Sequence, residues 1–177
     1  MRQIVTIVVI ALAVLATSPR GGFAQSDPAD GRETLTRALR GAWLPLESGL
    51  AASTGVGTPL SGKYEIDDGA FQLSVYTWKA DAFSGDSFTE VVVDYSTGNV
   101  SRVDAITDGG DLAAAQTQKA AMARAKRSLA EATAAAVKAN AGYRAVSAMP
   151  GLDGGAPVAE VTLVKGDDWK VVTERLD

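Results

Sequence analysis

Apolar positions follow two different periods along this chain, and the change between them divides it. Between residues 60 and 106 they alternate, or run in short blocks closed by Gly, Asp and Asn. Residues 60–66 end at Asp67-Asp68-Gly69, a strong two-strand turn signal. The next segment puts Phe71, Leu73 and Val75 on one side and Gln72, Ser74 and Tyr76 on the other. A third segment, FTEVVVDY, turns on Ser96-Thr97-Gly98-Asn99 and runs back out as NVSRVDAI. Gly98 accepts positive φ and Asn99 tolerates it, so a tight antiparallel hairpin is predicted. Val91, Val93 and Tyr95 share its inner face, Val92 is partly covered, and Glu90, Asp94 and Arg102 are expected in solvent.

From 111 to 141 the period becomes helical and no Gly or Pro interrupts it. Asp108 and Asp111 open the run, Asn140 and Gly142 close it, and Leu112, Met122, Leu129 and Val137 mark a thin apolar stripe filled with Ala. One long helix over 108–142 is predicted, and Ala125→Pro is expected to unfold the protein. Two short helices precede the strands, one over 32–40 with Leu35 and Leu39 one turn apart, one from Pro45 to Ala52. Three strands follow the long helix: YRAVSAM, PVAEVTLVK and WKVVTERL, separated by PGLDGGA and GDD. DGAFQLSVYTWK and GGAPVAEVTLVK occupy matching places in the two halves, which points to a diverged duplication.

The amino terminus belongs to a different class of sequence. Arg2 precedes an uncharged apolar run from Ile4 to Ala16, and Pro19, Gly21 and Gly22 lead to the small-x-small triplet Gly22-Phe23-Ala24. That is the anatomy of a secretory signal peptide cleaved after Ala24; the run is short for a membrane span. Residues 25–31 read as a linker. Without Arg2 and Arg20 the 17 basic residues fall to 15 against 21 acids, a net charge of −6. So acidic a product is ill suited to nucleic acid. With no Cys it is held by packing alone, and with no His it lacks the commonest general base and zinc ligand.

The hairpin VVVDYSTGNV resembles the signature of PepSY domains, in which a strand ending in an acid enters a Thr-Gly turn and returns. PLSGKYEIDDGAFQLSVYTWK is similar to that family's earlier strands and LESGLAAS to its leading helix. The resemblance covers residues 32–107; 143–177 looks like the three-stranded end of a degenerate copy. It implies an α+β fold of two units, each a helix on an antiparallel sheet, joined by the long Ala-rich helix. It also implies a non-catalytic, exported regulatory or protease-inhibiting role, with no cofactor. The expectation is a periplasmic protein, without a stable membrane span after signal cleavage, that modulates another exported or membrane protein such as a protease or sensor. The alternative is a carrier of a small ligand or metal ion.

Candidate chemistry is sparse. Ser61 and Lys63 share a strand face, but Lys63 stands at a strand start beside Gly62, without the burial or cationic neighbours that a catalytic lysine needs. Glu33, Glu47 and Glu65 suggest no carboxylate pair. Asp67-Asp68, Asp108 with Asp111, and Asp167-Asp168 stand where turns and helix caps want Asp, and none has calcium-loop spacing. The candidate contact residues are Tyr76 and Trp78, opposite the Phe71 face, with Lys79 beside them, and Trp169 at a strand start. Whether a helix covers Tyr76 and Trp78 is left open by the pattern, with exposed Trp78 taken as the testable expectation. Trp43 is expected to plug a core edge.

Overall fold

A computed structural model describes residues 28–81 and 85–177. The expected signal peptide lies outside them. The alternating segments form β1 (Thr58–Asp67), β2 (Ala70–Asp81), β3 (Gly85–Val93), β4 (Val100–Ala105), β5 (Arg144–Asp153), β6 (Ala156–Lys165) and β7 (Asp168–Arg175). All pair antiparallel in one sheet of order β4-β3-β2-β1-β5-β6-β7. The two halves therefore share a sheet, joined at a short seam where Gly62 faces Ala148 and Lys63 faces Ser147.

The halves correspond in detail about that seam. Asp68 (φ 48°) and Gly69 (φ 79°) turn β1 into β2; Gly154 (φ 55°) and Gly155 (φ 87°) turn β5 into β6. Both are two-residue turns with positive φ at each position, the kind that matches strand twist. The register of β1 shifts between Pro59 and Ser61, that of β5 between Ala145 and Ser147. Leu60 and Val146, Gly62 and Ala148, Asp67 and Asp153 are each 86 positions apart. An approximate two-fold axis thus passes between Gly62 and Ala148, which face one another.

Among the described residues four α-helices flank the sheet: α1 (Pro28–Leu39), α2 (Leu46–Ala52), α3 (Gly109–Met122) and α4 (Leu129–Ala139). Residues 28–31, assigned to a linker from the sequence, belong to α1, where Pro28 suits a first turn. α2 precedes β1 and α4 precedes β5; they pack on one another and on the same face. Under them lie Leu46, Leu50, Leu73, Val75, Leu129, Val161 and Leu163, all fully buried. α3 covers the opposite face, where Ala115 packs with Leu60 and Phe88.

The single helix predicted over 108–142 is two. Ser128 opens α4 with a capping box: its Oγ accepts from the Glu131 amide while the Glu131 carboxylate accepts from the Ser128 amide at 2.9 Å. Between the helices, the Lys126 and Arg127 amides donate to the Leu176 carbonyl, at 2.6 and 2.9 Å. One straight helix cannot lie on both faces of a sheet; the chain crosses at the end of β7, and that carbonyl takes the amides that helix continuation would have used. β5 likewise continues through the predicted loop at Pro150. Beyond Ala148 it pairs with β6 alone, the edge setting a strand Pro requires.

The outward face of the first hairpin is less solvated than expected. Val92 is 9% exposed. Glu90 accepts from Ser74 Oγ at 2.6 Å, and Ser74 accepts from Gln72 Nε2 at 2.9 Å. The Asp94 carboxylate organises the turn, accepting from the Ser96 and Thr97 amides at 2.8 Å each. Those two amides hold its pKa below the usual carboxylate range.

Candidate functional site

Pro45 ends the segment between α1 and α2, and that segment is held by polar contacts from residues far along the chain. Arg144, at the start of β5, donates to the carbonyls of Leu39 (2.8 Å), Ala42 (2.9 Å) and Leu44 (3.3 Å). The Tyr64 hydroxyl also donates to the Leu44 carbonyl. The amides of Trp43 and Leu44 both donate to the Tyr95 carbonyl, at 3.2 and 2.9 Å. Beneath runs an aromatic row. Phe71 stacks on Tyr64 at 5.5 Å and meets Tyr95 at 4.8 Å, and the Arg144 guanidinium lies 5.4 Å from the Tyr64 ring centroid. Burial pushes the Tyr64 phenol up to about 12, against the opposing pull of Arg144.

This held loop presents Trp43 to solvent at 85% exposure. The sequence expectation of a core plug is overturned. Arg144 and the aromatic row fill the space beneath the loop, so the indole has no vacancy to enter. Ile66, facing Phe71, and Val100, facing Val93, are further exposed apolar residues at this end of the sheet. Pattern analysis passed over the corner because Arg144 is about a hundred positions from the carbonyls it holds.

Tyr76 and Trp78 lie on the α3 face, and both are half-buried. The Trp78 indole N–H donates to Asp86 Oδ1 at 2.9 Å, and the Lys119 ammonium stands 4.5 Å from its ring centroid while pairing with Asp86. Lys119, then Trp78, holds the Asp86 carboxyl below its ordinary pKa. The Tyr76 phenol is raised by burial and by its hydrogen bond to Asp111. Of the two possibilities that the pattern leaves open, α3 covers this face, so Trp78 is not the exposed indole expected; Lys79 beside it is exposed. Next to them an open groove of about 760 Å³ runs between α3 and the β3–β4 edge, walled by Phe88, Ile106, Leu112 and Ala120 with Gln116 and Lys119 on the helix side.

Trp169 is elsewhere. It starts β7, four strands from β2 and so on the order of 19 Å away. It is half-buried, with the Arg32 guanidinium 6.0 Å from its ring centroid and Asp168 beside it bonded by the Tyr143 hydroxyl. The four predicted contact residues do not form one site. Nor do the acids gather: among the described residues no group of three or more could hold a metal ion. Ser61 and Ser74 are buried, Ser74 at 1% exposure, so its short contact to Glu90 has no substrate access. Lys63 pairs with Glu65 at 2.5 Å.

No helix among the described residues is long and apolar enough to cross a membrane. No protein-family profile, curated protein or solved structure matches the chain.

Proposed function

We propose that the chain is an exported, non-catalytic binding protein that modulates another exported or membrane protein, a protease or sensor being the kind of target in view. It docks through the Trp43 corner. The observation that carries this reading is one indole, 85% exposed, on a backbone fixed by Arg144, Tyr64 and Tyr95. A fixed backbone means that little conformational entropy is lost on docking, and exposed Trp is a frequent anchor of interfaces. The test is in-cell photocrosslinking from position 43, with exposed Thr117 of α3 as the control. A discrete protein adduct at 43 and none at 117 supports the reading; equal or absent crosslinking at both removes it.

A second reading, a carrier of a small ligand, has its own observation in the apolar groove of about 760 Å³ beside α3, within the size range of ligand pockets. Saturable thermal stabilisation by a small apolar molecule, lost in Leu112→Asp, separates it from the first.

We also infer that the two halves are diverged copies of a PepSY-like unit. Supporting this are the shared turn type, the two register shifts at the same distance from the turns, and the seam that sets Gly62 against its own counterpart Ala148.

A further inference from the structure

The halves differ at one place in the sheet. In the first, β3 is covered on its outer side by β4. Its positional counterpart, β7, ends the sheet; it packs chiefly on β6 and α4, and Arg32 of α1 reaches the Trp169 ring near its start. We propose that this edge takes a second copy of the chain, β7 pairing antiparallel with β7 about a two-fold axis, so that two sheets run on as one.

The backbone limits the register. The Leu176 amide donates to the Pro157 carbonyl at 3.0 Å, so it points at β6. Direction alternates along a strand. Lys170, Val172 and Glu174 therefore also turn their backbone groups to β6, and Trp169, Val171 and Thr173 turn theirs outward. Two such edges join through outward residues only, odd-numbered to odd-numbered. Charge then selects among the few such registers. Placing Val171 opposite Thr173 sets Lys170 of each copy opposite Glu174 of the other, and Trp169 opposite Arg175. Sliding one way brings Asp168 opposite Glu174, like charges that repel; sliding the other way faces Lys170 with Leu176 and strands Glu174.

Three features fit this occupant. Glu174 makes no ion pair within the described residues. Val171 is 61% exposed on the open strand. β7 lacks two of the guards that edge strands carry: it has no Pro or Gly to interrupt it, and its pairing with β6 is unbroken by a bulge. The opposite edge differs in one of these respects: β4 pairs with β3 through a register shift at Val92/Val93. Arg127 takes the Arg175 carbonyl at 3.0 Å and marks where the added strand ends.

The proposal stands apart from docking at Trp43, and its test does not need the partner. The protein, expressed from the full coding sequence and purified, is followed by sedimentation velocity from ~1 to ~200 μM, the range in which so small an interface dissociates. A reversible dimer is expected. Glu174→Lys and Lys170→Glu should each weaken it about tenfold or more, and the double exchange should restore it to within about threefold, since like charges then become opposite again. Circular dichroism melts of all three confirm folding. A monomer throughout the range overturns the proposal, as does a dimer indifferent to the exchange or one that the double variant fails to restore. A dimer broken by Arg102→Asp and kept in Glu174→Lys would place the interface at β4 and also overturn it.

Discussion

The first and second halves of the sheet share a backbone plan and fill it with different side chains. Where α2 buries Leu46 and Leu50, α4 buries Ala132 and Ala136 at the corresponding positions. Where β2 buries Leu73, β6 buries Ala159. The exchange is compensated locally. Opposite Leu73, α2 carries Gly49, at which a Cβ would stand 2.3 Å from Leu73 Cδ2; at the position that corresponds to Gly49, α4 carries Ala135. Tyr64, in the aromatic row of the first half, corresponds to Pro150. The turn, the register shift and the fixed spacing define the plan, while the aromatic row lies in the first half alone. The exposed indole and the groove collect there too.

The largest expected effect separates the two helices that the sequence merges. Ala136→Pro, inside α4 and fully buried, should cost more than ~3 kcal/mol and unfold the second half, read from a chemical denaturation midpoint. Ala125→Pro, between helices, loses one amide bond to Met122 at 3.0 Å and should cost only about 1 kcal/mol. Equal costs would restore the single helix.

Leu50→Ala gives α2 the side chain that α4 carries and should cost ~2–5 kcal/mol, because Leu73 on β2 keeps its size and a cavity opens. A loss below about 1 kcal/mol would mean that α2 is loosely seated. Gly49→Ala should cost ~1–3 kcal/mol by overpacking against Leu73. Combined with Leu73→Ala it reproduces the Ala–Ala pair of the second half. The double variant should then be at least ~0.5 kcal/mol more stable than the two single losses added; strict additivity would show that the two positions do not compensate.

The smallest effect is the contribution of Tyr64, in the first half, to an alkaline pH limb. The raised Tyr64 phenol is protonated in the fold, so its stabilisation is complete below its unfolded pKa of about 10 and is lost as pH rises through about 12. Tyr64→Phe should flatten this alkaline loss in a pH series of melts, at about 1 kcal/mol of stability at neutral pH. An unchanged alkaline limb would assign it to another phenol. Asp94 and Asp86 act with the opposite sign: their carboxyls are lowered, so their contribution is present at neutral pH and lost as pH falls through their folded values.

What the sequence made legible follows from how far each cause reaches. The strands, their turns and the short helices follow from local causes: alternation, Asp-Gly and Gly-Gly pairs, Pro45. The break between α3 and α4 had a local sign, Ser128 three residues before Glu131, outweighed by the uninterrupted Ala run. Its decisive cause, the Leu176 carbonyl, lies some fifty residues away. The contact residues fared worse for the same reason. Aromatic alternation finds Tyr76 and Trp78 but not the α3 residues that shield them, and Trp43 beside Pro45 has no period to place it.

The most direct test of the account is the emission of Trp43 alone, in a variant carrying Trp78→Phe and Trp169→Phe. A red-shifted spectrum, freely quenched by iodide, with anisotropy decaying at the tumbling rate of the whole protein, is predicted for an exposed indole on a fixed loop. Arg144→Met in that background should add a fast decay and leave the colour unchanged. A blue, protected spectrum would return Trp43 to the core, and fast decay before Arg144 is touched would show that nothing holds the loop; either would contradict the account.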